Sequence, residues 1–404
     1  MTQPSALHRA ATATCVALLF SLTSVFWAGC SSSPKKEKPQ LTGDPLVDGE
    51  NFIQNGPERD RVLWQYRTAL TALRQGKRDL SKHYLDEALA RIQGIYGKDT
   101  DAKKSRSYFR EEARKTFIGE PYERAMAWFY RGILYWIDGQ PDNARACFRS
   151  GQIMDSDTED KTYSGDYVLF DYLDGYITSR LGGDGSDAVR RAETNSHLWK
   201  PPSFANKANL LVFVDYGPPP TKFATGEYRE QLRFAGGKSQ IVSATVKIGE
   251  ASGKAVPYDD LFFQASTRGG RVMDHVLANK AVFKKSTDIA GTVGIISGAA
   301  MATSHNRDVQ TAGLAVMGVG VVTKIFSAAT TPEADVRTWD NLPLYLSFVA
   351  FEVTPGEHTL TVDFLDGQGR ILAGQSKTAT INLPEGIQEK VIYVSDKSIT
   401  PQTL

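Results

Sequence analysis

The spacing of hydrophobic residues changes near residue 200. From about residue 57 to residue 195, apolar and small side chains recur every three or four positions, which predicts amphipathic helices. After Pro201 and Pro202, apolar and polar residues alternate in short runs that end at Gly and Pro turns, which predicts β-strands. The pattern therefore predicts an α+β protein, with a helical domain at 57–200, a β domain at 201–398 and a tail at 399–404.

One helical segment resembles the tetratricopeptide repeat, a helix pair in which a small residue allows close helix contact and a glycine ends the first helix. The matching positions are Trp128, Gly132, Tyr135, Gly139, Ala144 and Phe148. A weaker copy lies at Ala69, Ala72, Gly76, Leu85 and Ala88, and a looser copy at Tyr172, Gly175, Gly182 and Ala188. Stacked helix pairs present a concave face, which would serve as a protein-binding groove. The alternative is that the aromatic residues form the core, and the helical spacing favours this alternative.

The region after residue 200 predicts an antiparallel, sandwich-like β domain, because its strands are short and are separated by Gly/Pro turns. The predicted strands are Ala208–Asp215, Ile241–Ile248, Tyr345–Val353, His358–Leu365, Ser376–Leu383 and Lys390–Val394.

A glycine-rich helical insertion is predicted at about 268–330, between the two groups of strands. Its arms, Ile289–Ala302 and Ala312–Ala328, are nearly uncharged and rich in small residues, and a polar joint connects them. Such a hairpin either packs against the protein or inserts into a membrane through small-residue contacts. Each arm is shorter than the roughly 20 residues that span a bilayer. The sequence therefore favours a buried antiparallel hairpin.

The N-terminus has the features of a lipoprotein signal. A basic start is followed by the apolar run Ala10–Trp27 and by Ala28-Gly29-Cys30, which resembles a bacterial lipobox. The resemblance implies a signal peptide at 1–29 and acylation of Cys30, with palmitate or a similar chain. A polar segment then predicts a flexible tether at 30–56. Ser31 in place of Asp implies the outer membrane, facing the periplasm; the alternative is a plain transmembrane anchor.

Composition argues against several classes of protein. The 404 residues contain 47 Lys and Arg and 46 Asp and Glu, so the basic excess typical of nucleic-acid binding is missing. The three cysteines are too few for a disulfide scaffold, and the six histidines show no pair at helical metal-ligand spacing. The sequence has no Gly-x-Ser-x-Gly elbow, His-Glu-x-x-His motif or phosphate-binding loop. We therefore expect no catalysis, no cofactor and no metal site.

Two groups of polar residues are candidates for chemistry. Glu120 and Glu123 could form an acid–base pair, but Pro121 predicts a helix start, which favours helix capping and an ion pair with Arg124. The second group is the polar and aromatic cluster Asp335, Arg337, Trp339 and Asp340. Arg337 could bind an anionic partner such as a peptidoglycan carboxylate. A structural ion pair with Asp335 or Asp340 is the favoured alternative.

Several stretches together resemble an uncharacterised family of bacterial envelope lipoproteins with tetratricopeptide-like repeats. These stretches are 119–124 (GEPYER), the helix pair at 130–148, 214–217 (VDYG) leading to Lys222, and 333–343 (EADVRTWDNLP). The resemblance implies a cell-envelope context, since such proteins are often encoded beside lipoproteins that resemble activators of penicillin-binding proteins. It assigns no chemistry to any residue.

The sequence leaves two functional hypotheses. The first is a lipid-anchored adaptor or scaffold, which binds other envelope proteins through the repeats and the β domain. The second is a membrane-active or oligomerising component that uses the glycine-rich hairpin at 289–328. In both cases the bilayer is contacted through acylated Cys30, and no nucleic acid is involved.

Overall fold

The computed structural model describes residues 39–96, 116–157, 161–205, 207–267, 333–386 and 389–399. Cys30, the signal peptide and the glycine-rich hairpin at 289–328 therefore lie outside the described residues. The described residues from Leu41 onward belong to one compact unit. Helices and mainly antiparallel sheets together confirm the α+β class. Among the described residues, no helix is long and apolar enough to cross a membrane.

The helices precede the strands, with one short exception. They are α1 (Pro45–Asn55), α2 (Arg61–Arg74), α3 (Arg78–Tyr96), α4 (Pro121–Ile137), α5 (Pro141–Asp155), α6 (Val168–Arg180), α7 (Ser186–Asn195) and α8 (Leu261–Ser266). Helix α1 occupies the end of the segment predicted as a flexible tether, so that prediction extended too far. The physical reason is local, because the Asp44 side chain caps the helix by accepting from Leu46 N and Val47 N, and Pro45 stands in its first turn.

Three helical hairpins follow α1 in the described residues: α2 with α3, α4 with α5, and α6 with α7. Glycines with positive φ stand in the turns of the three hairpins, at Gly76, Gly139 and Gly182, and Gly139 follows the end of its helix as predicted. One close helix contact is at Gly132 of α4, where an added Cβ would lie 2.8 Å from Cε1 of Phe148. Only a glycine allows α4 and α5 to approach this closely.

The strands are β1 (Leu210–Tyr216), β2 (Thr221–Thr225), β3 (Gln231–Ala235), β4 (Ser243–Ile248), β5 (Ala251–Ala255), β6 (Asp259–Asp260), β7 (Tyr345–Phe351), β8 (Gly356–Leu365), β9 (Ile371–Leu383) and β10 (Lys390–Ser395). The inner sheet has the order β10-β1-β7-β6 and the outer sheet the order β5-β4-β8-β9, while β2 and β3 form a hairpin. All described pairs are antiparallel except β1 with β10, which is parallel. The expectation of a purely antiparallel domain is therefore wrong at this pair. The last strand, β10, pairs with β1 and runs in the same direction as β1.

The inner sheet lies between the helices and the outer sheet. Every residue of β1 is buried, and its side chains alternate between two hydrophobic clusters. Leu211 and Phe213 belong to the cluster shared with the helices, whereas Leu210, Val212 and Val214 belong to the cluster shared with the outer sheet. A strand that is covered on both faces needs apolar residues at most of its positions. This explains why the segment appears in the sequence as a continuous apolar run.

The first helix of each hairpin packs against the inner sheet. Phe129 of α4 contacts Phe213 with ring centres 6.1 Å apart, and Tyr172 of α6 contacts Phe348 at 5.9 Å. Helix α2 reaches the same sheet through Arg74, which lies beside Tyr393. Phe148 is fully buried, and Trp128 and Tyr135 are partly buried against the core. The repeat aromatics thus belong to the core, and the protein's own sheet covers the face formed by the first helices.

Candidate functional site

The most unusual chemistry in the structure is a buried ion pair between Glu123 and Lys222. Glu123 lies in the first turn of α4, and Lys222 comes from β2. Lys222 Nζ lies 2.5 Å from Glu123 Oε2, and the two side chains are 1% and 0% exposed. Charged side chains are almost never buried this fully unless they are paired. The pair therefore fixes the β2–β3 hairpin to the start of α4.

The carboxylate of Glu123 also binds two backbone groups. Its Oε2 accepts from Glu120 N at 2.7 Å, which completes a capping box, and its Oε1 accepts from Trp339 N at 2.8 Å. Lys222 Nζ donates to the carbonyl oxygen of Arg337 at 2.9 Å. Three segments that are distant in sequence therefore meet at one carboxylate. These are the segments with sequences GEPYER, EADVRTWDNLP and the stretch that ends at Lys222.

The sequence prediction for the glutamates is confirmed in one part and revised in another. Helix capping by Glu120 and Glu123 is present. The ion-pair partner of Glu123 is Lys222, while the guanidinium of Arg124 donates to the Gly119 carbonyl and pairs with Asp157. Local spacing indicated Arg124 as the partner, because only the fold brings Lys222 to the helix start.

A second buried network surrounds Asp215, at the end of β1. Asp215 Oδ2 accepts from the hydroxyls of Tyr130 and Tyr393, both at 2.7 Å. Arg74 Nη2 lies 3.6 Å from Asp215 Oδ1, and Arg74 Nη1 donates to the carbonyl of Asn341 at 2.6 Å. Burial and the neighbouring Asp215 charge raise the pKa of both tyrosines well above their usual range. Both phenols therefore remain protonated donors, and the network joins α2, α4, β1 and β10.

The predicted polar cluster does not form one site. Arg337 pairs with Asp335 Oδ2 at 2.6 Å, as the favoured alternative predicted, and with Asp60 Oδ1 at 2.7 Å. Trp339 is fully buried and stacks on Tyr66, with ring centres 4.4 Å apart. Asp340 is more than half exposed and pairs with Arg67 of α2. The segment is thus a strap that holds the chain before β7 against α2.

Sequence reasoning missed several buried polar residues: Arg74, Tyr130, Asp215, Lys222, Asp259 and Tyr393. Asp215 did carry a signal, because it is a charged residue at the end of an apolar run, whereas the sequence around Lys222 shows no such run. The roles of Arg74 and Tyr393 depend on contacts between residues more than 300 positions apart in the chain. Nothing in their local sequence indicates such a contact.

Metal and thiol chemistry have little support in the described part of the chain. No group of three or more His, Cys, Asp or Glu side chains there could hold a metal ion. Cys147 is a buried free cysteine, and burial raises the pKa of its thiol to about 12. The thiol therefore stays protonated and unreactive near neutral pH.

Asp259 is a buried helix cap that takes up a proton near neutral pH. Its carboxylate oxygens accept from Val168 N at 2.8 Å and from Leu169 N at 2.9 Å, at the start of α6. Burial raises the pKa of Asp259 to about 7, and the charges of Asp166 and Asp155 raise it further. The two backbone N–H groups oppose this shift because they favour the charged carboxylate.

The raised pKa of Asp259 predicts a measurable pH dependence of stability. Since the folded pKa exceeds the unfolded value of 3.8, the folded state binds more protons between about pH 4 and pH 7. Asp259 should therefore lower the free energy of unfolding by up to about 1.4 kcal/mol per pH unit as pH rises through this window. The measurement is urea unfolding of the wild type and of Asp259→Asn, which cannot titrate. The stability of the wild type relative to the variant should fall up to about pH 7 and then level off. A difference that is constant with pH would contradict the prediction.

Comparison with known proteins gives no relative, because no family model, no curated protein and no solved structure matches the chain.

Proposed function

We propose that this protein is a lipid-anchored adaptor of the bacterial cell envelope, which binds other proteins and carries out no catalysis. The proposal places the acylated Cys30 in the outer membrane, facing the periplasm, as the lipobox and Ser31 imply. In finer detail, we interpret the helical hairpins as a tetratricopeptide-like array and the two sheets as a sandwich. The resemblance to the envelope lipoprotein family belongs to the same proposal.

The observation that carries the adaptor proposal is an exposed apolar pair in the connection between α7 and β1. Leu198 is 47% exposed and Trp199 is 51% exposed. Tryptophan is the residue most typical of binding hot spots, since its large ring gains much by burial in a partner's pocket. In contrast, the aromatic residues of the repeats are already used against the inner sheet. The binding surface therefore differs from the groove that the repeat pattern predicts.

Charge around this pair indicates the chemistry of the partner. Lys254 Nζ lies 6.0 Å from the centre of the Trp199 ring, and Lys200 is exposed beside it. A basic rim favours a partner whose apolar pocket is bordered by acidic side chains. We therefore propose an acidic envelope protein as the partner.

The buried networks support a scaffold role. Glu123, Lys222, Asp215 and Arg74 are almost entirely buried, and their polar atoms contact groups within the protein. Groups closed off in this way hold elements of the fold together. A catalytic acid or base, in contrast, must reach its substrate within hydrogen-bond distance.

The experiment is site-specific photo-crosslinking in intact cells. A photoreactive amino acid at position 199 should form one discrete crosslinked product with a partner protein. The same residue at position 371 is the matched control, because Ile371 is 53% exposed but lies on β9 of the outer sheet. Trp199→Ala should weaken co-purification of that crosslinked partner by about tenfold or more. Equal crosslinking from both positions, or none from position 199, would contradict the proposed surface.

A further inference from the structure

A cavity of about 460 Å³ opens where α2 ends and α3 begins. The turn between the helices contributes Gly76 and Lys77 to its wall, Arg78 is the first residue of α3, and Lys82 lies one turn further along that helix. Two carboxylates, Asp79 and Asp138, complete the charged lining. Three positively charged and two negatively charged side chains therefore line the cavity.

Lys82 forms ion pairs with both carboxylates. Lys82 Nζ lies 3.0 Å from Asp79 Oδ1 and also 3.0 Å from Asp138 Oδ2. Among the described residues, Lys77 and Arg78 form no direct ion pair, although the Arg78 charge helps to lower the pKa of Asp79. The wall of the cavity formed by these two residues thus carries two positive charges that no carboxylate of the described residues contacts directly.

One nitrogen of the Arg78 guanidinium has no hydrogen-bond acceptor among the described residues. Its Nη1 is buried and has no hydrogen-bond partner within the described part of the chain. A buried N–H group without an acceptor is costly, particularly on a charged side chain. The charge of Lys390 lies near Arg78 as well, since burial and the Arg78 charge together lower the pKa of Lys390. A negatively charged acceptor would satisfy Nη1 of Arg78 and balance the positive charges around it.

We propose that this cavity binds a phosphate group between Lys77 and Arg78. A guanidinium offers paired N–H donors that match two oxygens of a phosphate, and a lysine adds a flexible point charge. The site also lies at the N-terminus of α3, where the positive end of the helix dipole favours an anion. The ligand is a free phosphate compound or the phosphate of a lipid headgroup. This site lies apart from Trp199 and does not depend on the adaptor proposal.

Binding is tested with two probes on the purified full-length chain in a neutral detergent. The first probe is inorganic phosphate, and the second is short-chain phosphatidylglycerol below its micelle concentration. Each probe that binds should raise the unfolding temperature, because a ligand that binds only the folded state stabilises it. The double variant Lys77→Gln/Arg78→Gln should lose this shift and bind at least about tenfold more weakly in calorimetry. Stronger binding of the lipid indicates a headgroup, and stronger binding of phosphate indicates a free ligand.

The matched control is Lys207→Gln, which removes one charge from an exposed lysine in the connection before β1. This variant should bind both probes like the wild type. The proposal is overturned if neither probe shifts the unfolding temperature of the wild type. It is also overturned if the double variant and the wild type bind with equal affinity, because binding would then occur elsewhere.

Discussion

Replacing Lys222 by methionine should lower the free energy of unfolding by about 3–5 kcal/mol. Methionine has a similar length, so the main change is the loss of the positive charge that faces Glu123. The carboxylate would then remain buried, with two backbone donors but without a counter-ion. A buried and unpaired charge is among the most destabilising features that one substitution can create. Urea unfolding, followed by tryptophan fluorescence, measures the loss.

A double-mutant cycle separates the lost charge from lost packing. Glu123→Gln/Lys222→Met removes both charges of the pair, so it should regain at least half of the stability that Lys222→Met loses. The matched control is Lys247→Met, because Lys247 pairs with Asp363 at 2.9 Å but its side chain is 51% exposed. An exposed pair contributes little, so this variant should cost less than about 1 kcal/mol. Equal losses for Lys222→Met and Lys247→Met would refute the interpretation of the buried pair.

Replacing Gly132 by leucine should destabilise the helical hairpin α4–α5 by about 1–3 kcal/mol or more. The new Cβ alone would lie 2.8 Å from Phe148 Cε1 and 3.2 Å from Cys147 Cβ. Both neighbours are buried, so they have little room to move. The rest of the leucine side chain must therefore push α4 and α5 apart. Thermal unfolding by circular dichroism should show a lower midpoint.

Gly94 provides the control for a glycine inside a helix. It lies in α3, and an added Cβ there meets nothing within 4 Å. Gly94→Ala should stabilise the protein by up to about 1 kcal/mol, because alanine is the better helix former. Gly132→Ala should be less stable than Gly94→Ala, although the chemical change is the same. If the two alanine variants are equally stable, the interpretation that close packing of α4 and α5 requires glycine at position 132 is wrong.

Local signals in the sequence predict many of the elements well. Gly139 follows the end of a helix as predicted, and Pro121 begins one. The predicted strand Tyr345–Val353 matches β7, and Lys390–Val394 matches β10 within one residue. These signals succeed because helix ends and alternating strands depend on neighbouring residues.

The sequence pattern does not predict which distant elements pair. Pattern alone does not place β10 beside β1, and it does not indicate that the inner sheet covers the first helices. Short strands such as β5 and β6 carry too few apolar residues to stand out from turns. The candidate site shows the same limit, since the partner of Glu123 lies 99 residues away. Capping could be predicted from the sequence, whereas the buried ion pair required the fold.

The position of β1 in the middle of the inner sheet affects the order in which the chain can fold. Both neighbours of β1 come late: β7 at Tyr345–Phe351 and β10 at Lys390–Ser395. A chain that emerges N-terminus first therefore presents both edges of β1, together with the aromatic face of the helices, before the strands that cover them exist. Contacts over such long stretches of chain also form slowly. The last strand thus closes the sheet, and until β7 and β10 pair with β1 the exposed apolar surface favours aggregation.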